Sequence, residues 1–149
     1  MRVADFCTTQ TVVCAPQTSV AHAAQLMRDH HVGDVVVVDD SGGTVKPLGI
    51  LTDRDIVVSA VATGLDPEVL LAGDLMTPQL VSVSRDADPF EAIATMRFKG
   101  VTRLPVIDDD GNLAGIVSAD DLLGCLTHEM EALAGIRHRQ QVHEQHARP

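Results

Sequence analysis

Two short stretches carry the residue types best suited to ligand chemistry. Gly49-Ile50-Leu51-Thr52-Asp53-Arg54-Asp55 and Gly115-Ile116-Val117-Ser118-Ala119-Asp120-Asp121 each run from an apolar segment into a small hydroxyl, Thr52 or Ser118. A carboxylate follows three residues later, Asp55 or Asp121. A helix starting there exposes unpaired N–H groups and a partial positive charge, which favour a phosphate. The hydroxyl donates to the same phosphate, and a carboxylate that accepts two hydrogen bonds suits a ribose diol. Taken singly, Thr-x-x-Asp at a helix start is also ordinary capping chemistry. Its appearance twice, behind the same preceding pattern, points beyond capping.

The elements that must position these stretches repeat as well. Val12–Val20 aligns with Val81–Pro89, Ala23 with Ala92, Met27 with Met96, Val32 with Val101 and Asp39 with Asp108, all at an offset of 69. From Gly49 against Gly115 the offset becomes 66, so the first copy carries three extra residues in the loop before Gly49. Insertions in a surface turn cost little.

Each copy reads as β-α-β-β-α. Strands are predicted at Thr11–Cys14 and Leu80–Val83. The following turns offer Thr18 or Ser19, and Asp86 or Asp88, as helix N-caps, with Pro89 suited to the first helical position. The first helices are expected to run to Asp29 and Phe98, with Gly33 and Gly100 marking their exits. Strand pairs follow at Val35–Val38 with Leu48–Leu51, and at Leu104–Ile107 with Leu113–Val117. Asp39–Gly43 and Asp108–Asn112 join them as hairpin turns. Val35–Val38 is apolar on both faces, as in a strand covered on both sides. Second helices start at Asp53 or Asp55, and at Ala119 or Asp121. The division is 1–63 for the first unit with its N-terminal segment and 64–75 for a linker with a short helix from Pro67. Residues 76–127 form the second unit and 128–149 a polar tail, read as a helix fraying near Gln140, a disordered segment or a contact with a neighbouring subunit.

Composition excludes several functions. The chain has 149 residues, 11 Lys and Arg against 21 Asp and Glu, and a net charge of −10. That charge repels phosphate backbones, and three Phe without Trp or Tyr leave no platform for stacked bases, so nucleic-acid binding is not expected. One small anionic ligand held by local donors is still allowed. No apolar run approaches a membrane span and Met1–Asp5 lacks the apolar stretch of a signal peptide, so the expected compartment is the cytoplasm. Cys7, Cys14 and Cys125 show no C-x-x-C spacing and read as reduced thiols. His30, His31, His128, His138, His143 and His146 have no accompanying Cys or carboxylate pattern, so no metal site is assigned. P-loop, G-x-G-x-x-G, G-x-S-x-G and H-E-x-x-H motifs are missing, and no base–nucleophile pair is evident, so an enzyme is not expected.

In the order and duplication of these motifs the chain resembles a tandem pair of cystathionine-β-synthase-type domains, the CBS pair or Bateman module, as a stand-alone protein. The resemblance covers about residues 1–126. Its carriers are Ala-x-x-x-Met in each first helix, the Val-Val-Asp and Leu-Pro-Val-Ile-Asp strands, the paired Gly-Ile stretches and Asp74-Leu75-Met76-Thr77-Pro78. It implies an α/β (α+β) fold of two repeats packed sheet to sheet about a pseudo-twofold axis. Two clefts result, which in this family commonly take AMP, ADP, ATP or sometimes S-adenosylmethionine. By the same resemblance Asp55 and Asp121 hold ribose, Thr52 and Ser118 supply the hydroxyl, and Ile50 and Ile116 lie beside the base. Gln10, Val12, Val32 and Gly33 wall the Asp121 cleft; Gln79, Val81, Val101 and Thr102 wall the Asp55 cleft. Arg103 matches a position that often meets phosphate, against the alternative of a surface ion pair with a nearby Asp; its counterpart in the first copy is Asp34. Arg54 stands where the second copy has Asp120. The Asp121 cleft with Arg103 is therefore the expected phosphate site. The expected function is a homodimeric, non-catalytic sensor of adenosine nucleotides acting on an unidentified protein, the alternative being an interaction module with vestigial clefts.

Overall fold

The computed structural model describes residues 1–77 and 79–148. Pro78, which closes the Asp74–Pro78 segment, and Pro149 lie outside the described residues.

The first repeat consists of β1 (Val13–Cys14), α1 (Val20–His30), β2 (Asp34–Asp39), β3 (Lys46–Thr52) and α2 (Asp53–Ile56), which continues as a π-type run over Val57–Val61. A short α3 (Ala72–Leu75) leads to the second repeat: β4 (Val83–Ser84), α4 (Pro89–Lys99), β5 (Arg103–Ile107), β6 (Leu113–Ser118) and α5 (Ala119–Ala147). Each repeat builds one three-stranded sheet, its first strand parallel to the second and its second antiparallel to the third. Even the irregularities repeat: the register shifts at Val37/Val38 in one sheet and at Val106/Ile107 in the other. The fold is the two-repeat α/β arrangement expected.

Local chemistry explains the elements. Ser19 caps α1 by accepting from His22 N at 3.1 Å, and Asp88 caps α4 by accepting from Phe90 N at 2.8 Å, with Pro89 in the first turn. Val20, Ala23 and Met27 turn inward from α1, and their equivalents Pro89, Ala92 and Met96 do so from α4. They close two cores against Val35, Val37 and Leu51, and against Leu104, Val106 and Val117. Fully burying a Val, Leu or Met side chain of this kind contributes about 1.5–3 kcal/mol.

Four local expectations change. The left-handed residue ending α1 is His31 at φ 54°, the counterpart of Gly100 at φ 68°, and not Gly33. The linker helix lies at Ala72–Leu75; residues 67–69 form a turn, because Leu70 and Leu71 are drawn into contacts with α1. The tail does not fray near Gln140, since α5 runs unbroken for 29 residues across residue 127 to Ala147. Thr11 and Val12, and Leu80 to Ser82, lie outside any strand, so that β1 begins at Val13 and β4 at Val83.

Chain order and spatial order differ at the start of each repeat. Val3 is fully buried in the second core, and Val3 N and Ala4 N donate to Ala87 O and Arg85 O, both at 2.9 Å. Thr8 then forms a two-bond bridge with Ile116 of β6. The matching segment before the second repeat, Leu70 to Met76, packs on the first core. Gly49 and Gly115 permit these approaches: an added Cβ would come within 3.0 Å of Thr77 O at one and 2.7 Å of Thr8 O at the other.

Candidate functional site

The two helix starts singled out by their chemistry fold alike. Thr52 caps α2, its Oγ1 accepting from Asp55 N at 3.1 Å while Asp55 Oδ2 accepts from Thr52 N at 2.9 Å. Ser118 and Asp121 repeat this at α5 with distances of 3.1 and 2.8 Å, and Ser118 Oγ donates to Asp121 Oδ2 at 2.7 Å. Capping is therefore a real role of both pairs. It uses only Oδ2, and Oδ1 of each half-buried aspartate has no hydrogen-bond partner among the described residues. A carboxylate so arranged is oriented by its own helix and retains acceptor capacity for a ligand.

Each pair opens into a cleft walled by the other repeat. The first has a volume of about 280 Å³ and gathers Ile50, Thr52, Arg54 and Asp55 with Gln79, Val81, Val101, Thr102 and Arg103. The second, about 210 Å³, gathers Gln10, Val12, Val32 and Gly33 with Ile116, Ser118, Asp121 and again Arg103. All sixteen residues predicted for the clefts thus line one or the other. Gly49, Thr77, Leu80, Gly100 and Pro105 in the first, and Thr8, Thr11, Asp34 and Asp120 in the second, were not foreseen as lining. Thr8 and Thr77 stand 69 residues apart, so the repeat offset could have found them. Thr11 Oγ1 is buried on the wall of the second cleft without a hydrogen-bond partner.

Charge separates the clefts. Arg103 is not the free cation of the Asp121 cleft. Its Nε holds Asp34 Oδ2 at 2.6 Å, so of the two alternatives for Arg103 the ion pair is formed. Asp34 and Arg103 occupy equivalent positions of the two repeats; such residues meet only near the axis relating the copies, and Arg103 accordingly borders both clefts. Gly33 leaves room for this pair: a Cβ there would lie 3.2 Å from Asp53 Oδ2 and 3.3 Å from Arg103 Nη2. Burial pushes the Asp34 carboxyl above its usual range; Arg103 pulls it down, and Asp53 pushes it up again. The Asp121 cleft is lined by Asp34, Asp120 and Asp121 around an arginine already paired, whereas exposed Arg54 in the Asp55 cleft has no ion-pair partner among the described residues.

Among the described residues no group of three His, Cys, Asp or Glu side chains is placed to hold a metal ion, and no helix is long and apolar enough to cross a membrane.

Fold and clefts together define a class: tandem βαββα modules whose grooves are shared between the copies. Within it, residues 3–61 and 72–128 each match the model of the CBS domain, and the chain belongs to the CBS-domain family. An uncharacterised protein of Methanopyrus kandleri, MK0525, is 38% identical over 109 residues; the match covers 73% of this chain and 54% of that protein, so this chain spans about half of its relative's length. The crystal structure of Hypoxic Response Protein I with two coordinated zinc ions matches at 32% identity and TM-score 0.71, covering 83% of this chain and 97% of that one. The CBS domain pair of MJ0100, solved with 5′-methylthioadenosine and S-adenosyl-L-methionine, superposes at TM-score 0.75 over 87% of this chain and 98% of that one, and at 22% identity supports the fold alone.

Proposed function

We propose that this CBS pair is a non-catalytic regulatory module that takes an adenosine-type ligand between its repeats, with Asp55 and Asp121 as the ribose acceptors. One observation carries the reading: in both clefts a helix-start carboxylate with one oxygen uncommitted faces an apolar wall from the opposite repeat. That combination suits a flat apolar base joined to a diol. The adenosine compounds in the MJ0100 pair agree with it.

The two sites differ in preference. We assign the phosphorylated ligand (AMP, ADP or ATP) to the Asp55 cleft, where exposed Arg54 offers positive charge. This replaces the expectation for the Asp121 cleft, because Asp34 already satisfies Arg103. The carboxylate-rich Asp121 cleft suits an uncharged or cationic adenosine compound such as S-adenosylmethionine, with Thr11 Oγ1 as a further polar contact. Ligand occupancy would favour one arrangement of the repeats, in a homodimer, for an interacting protein to read. The same carboxylates favour a second reading for that cleft alone, a vestigial groove kept for its capping box.

Calorimetry with AMP, ATP and S-adenosylmethionine tests the proposal. Saturable binding of at least one, with a raised thermal midpoint, is expected. No heat and no shift with all three at millimolar concentration would overturn it.

A further inference from the structure

The distal part of α5 has no place in the body described so far. Leu122 is its last fully buried residue and Leu126 is half-buried in the groove against α4, but every residue from Thr127 to Ala147 is exposed. These 21 residues project about 30 Å at 1.5 Å per residue. Most helical stability in proteins comes from packing an amphipathic face, and this stretch packs against nothing among the described residues. It also carries an apolar row, with Met130 69%, Leu133 66% and Ile136 58% exposed, in line with Leu126.

The charges beside this row are arranged in a pattern that selects a partner. Glu129, Leu133 and Arg137 follow one another at four-residue spacing, forming one ridge of the helix. Neither charge has an opposite partner within the helix. The positions three and four away from Glu129 hold Cys, Leu, Ala and Leu; those around Arg137 hold Leu, Ala, Gln and Gln. None of the described ion pairs involves α5. Acid, leucine and base at equal spacing form a pattern that is its own complement when reversed.

We propose that the occupant is a second copy of this chain, with α5 of one protomer lying antiparallel on α5 of its partner, centred on Leu133. Leu133 then meets the partner's Leu133, Met130 meets the partner's Ile136, and Glu129 pairs with the partner's Arg137 at both ends. A parallel alignment would oppose like charges, Glu129 to the partner's Glu129 and Arg137 to the partner's Arg137. The interface is therefore oriented as well as apolar. The inference goes beyond the cleft reading and does not rest on it.

The test uses the full-length chain in sedimentation equilibrium at low salt, with a melting scan confirming that the body stays folded. The wild type is expected to self-associate. Glu129→Arg and Arg137→Glu should each weaken association by about tenfold or more, and the double variant E129R/R137E should return it to about the wild-type value. In an Arg137→Lys variant, a zero-length carbodiimide cross-link applied to mixed isotope-labelled and unlabelled chains should join Glu129 of one chain to the new amine at position 137 of another. Within one helix those positions are about 12 Å apart, too far for a direct amide. A monomeric wild type, association indifferent to E129R, or a cross-link confined to single chains would each overturn the proposal.

Discussion

The Asp55 and Asp121 clefts are built from matching residues yet present different fields to a ligand. Both keep the reciprocal cap, the hydroxyl, the isoleucine and the wall from the opposite repeat. What differs is the charge just beside the cap, Arg54 in one and Asp120 in the other, and the side of the axis from which Arg103 is approached by Asp34. The parts that fold the backbone are common, while the exposed positions that decide the sign of a ligand have separated. Under the proposed function, the shared scaffold residues place the ligand and the unshared charges select its kind.

The largest effect that would sharpen this contrast is at the ribose acceptors. Asp55→Asn keeps a carbonyl oxygen for the Thr52 N–H but removes the charge. We expect nucleotide affinity in that cleft to fall by about 10–100-fold, the worth of hydrogen bonds to a charged group, with stability changed by less than about 1 kcal/mol. Asp121→Asn should leave AMP and ATP affinity unchanged; equal losses in both variants, read by calorimetry, would break the contrast. Next comes Arg54→Ala, expected to weaken ATP by about tenfold while adenosine is unaffected, with the salt dependence of ATP binding reduced. If adenosine and ATP suffer alike, Arg54 does not meet phosphate.

A smaller effect is expected at the axis. Asp34→Asn frees Arg103 from its ion pair and should tighten phosphorylated ligands a few-fold in either cleft that Arg103 borders. It also has a pH signature. The Asp34 carboxyl is raised in the folded protein by burial, so its contribution to stability is fully present below the ordinary value of 3.8 and is lost as pH rises through the higher folded value. Wild type minus D34N, followed by thermal melts, should therefore decline across that window and be flat above it. The smallest change is His31→Gly at the left-handed end of α1, which should stabilise by about 0.5–1 kcal/mol, whereas Gly100→Ala at the matching position should destabilise by a similar amount.

Much of the architecture could be read from the sequence because it is local and doubled. Apolar spacing, caps and turn residues recur at a constant offset, and Met27 with Met96 or Val37 with Val106 occupy equivalent places in three dimensions. Duplication also marked the two hydroxyl–carboxylate pairs, whereas the cleft walls from the opposite repeat followed only from the resemblance to CBS pairs. Less legible was anything settled by distance in space. Asp34 and Arg103 lie 69 residues apart, and only the packing of the repeats decides between ion pair and phosphate ligand. The α5 extension was hard to foresee as helix because its polar residues surround a short apolar row, without the broad stripe that a helix packed on its own domain displays. Docking of Val3 on the far core had no local signal at all.

That last docking has a consequence for how the chain comes together during synthesis. Residues 3–8 are synthesised well before the strand and turn that receive them, at Arg85, Ala87 and Ile116. This segment must stay unattached until the second repeat has been made, and its seating closes a loop that encloses the whole first repeat. Loss of those few opening residues would thus strip the C-terminal repeat, the one farthest from them along the chain.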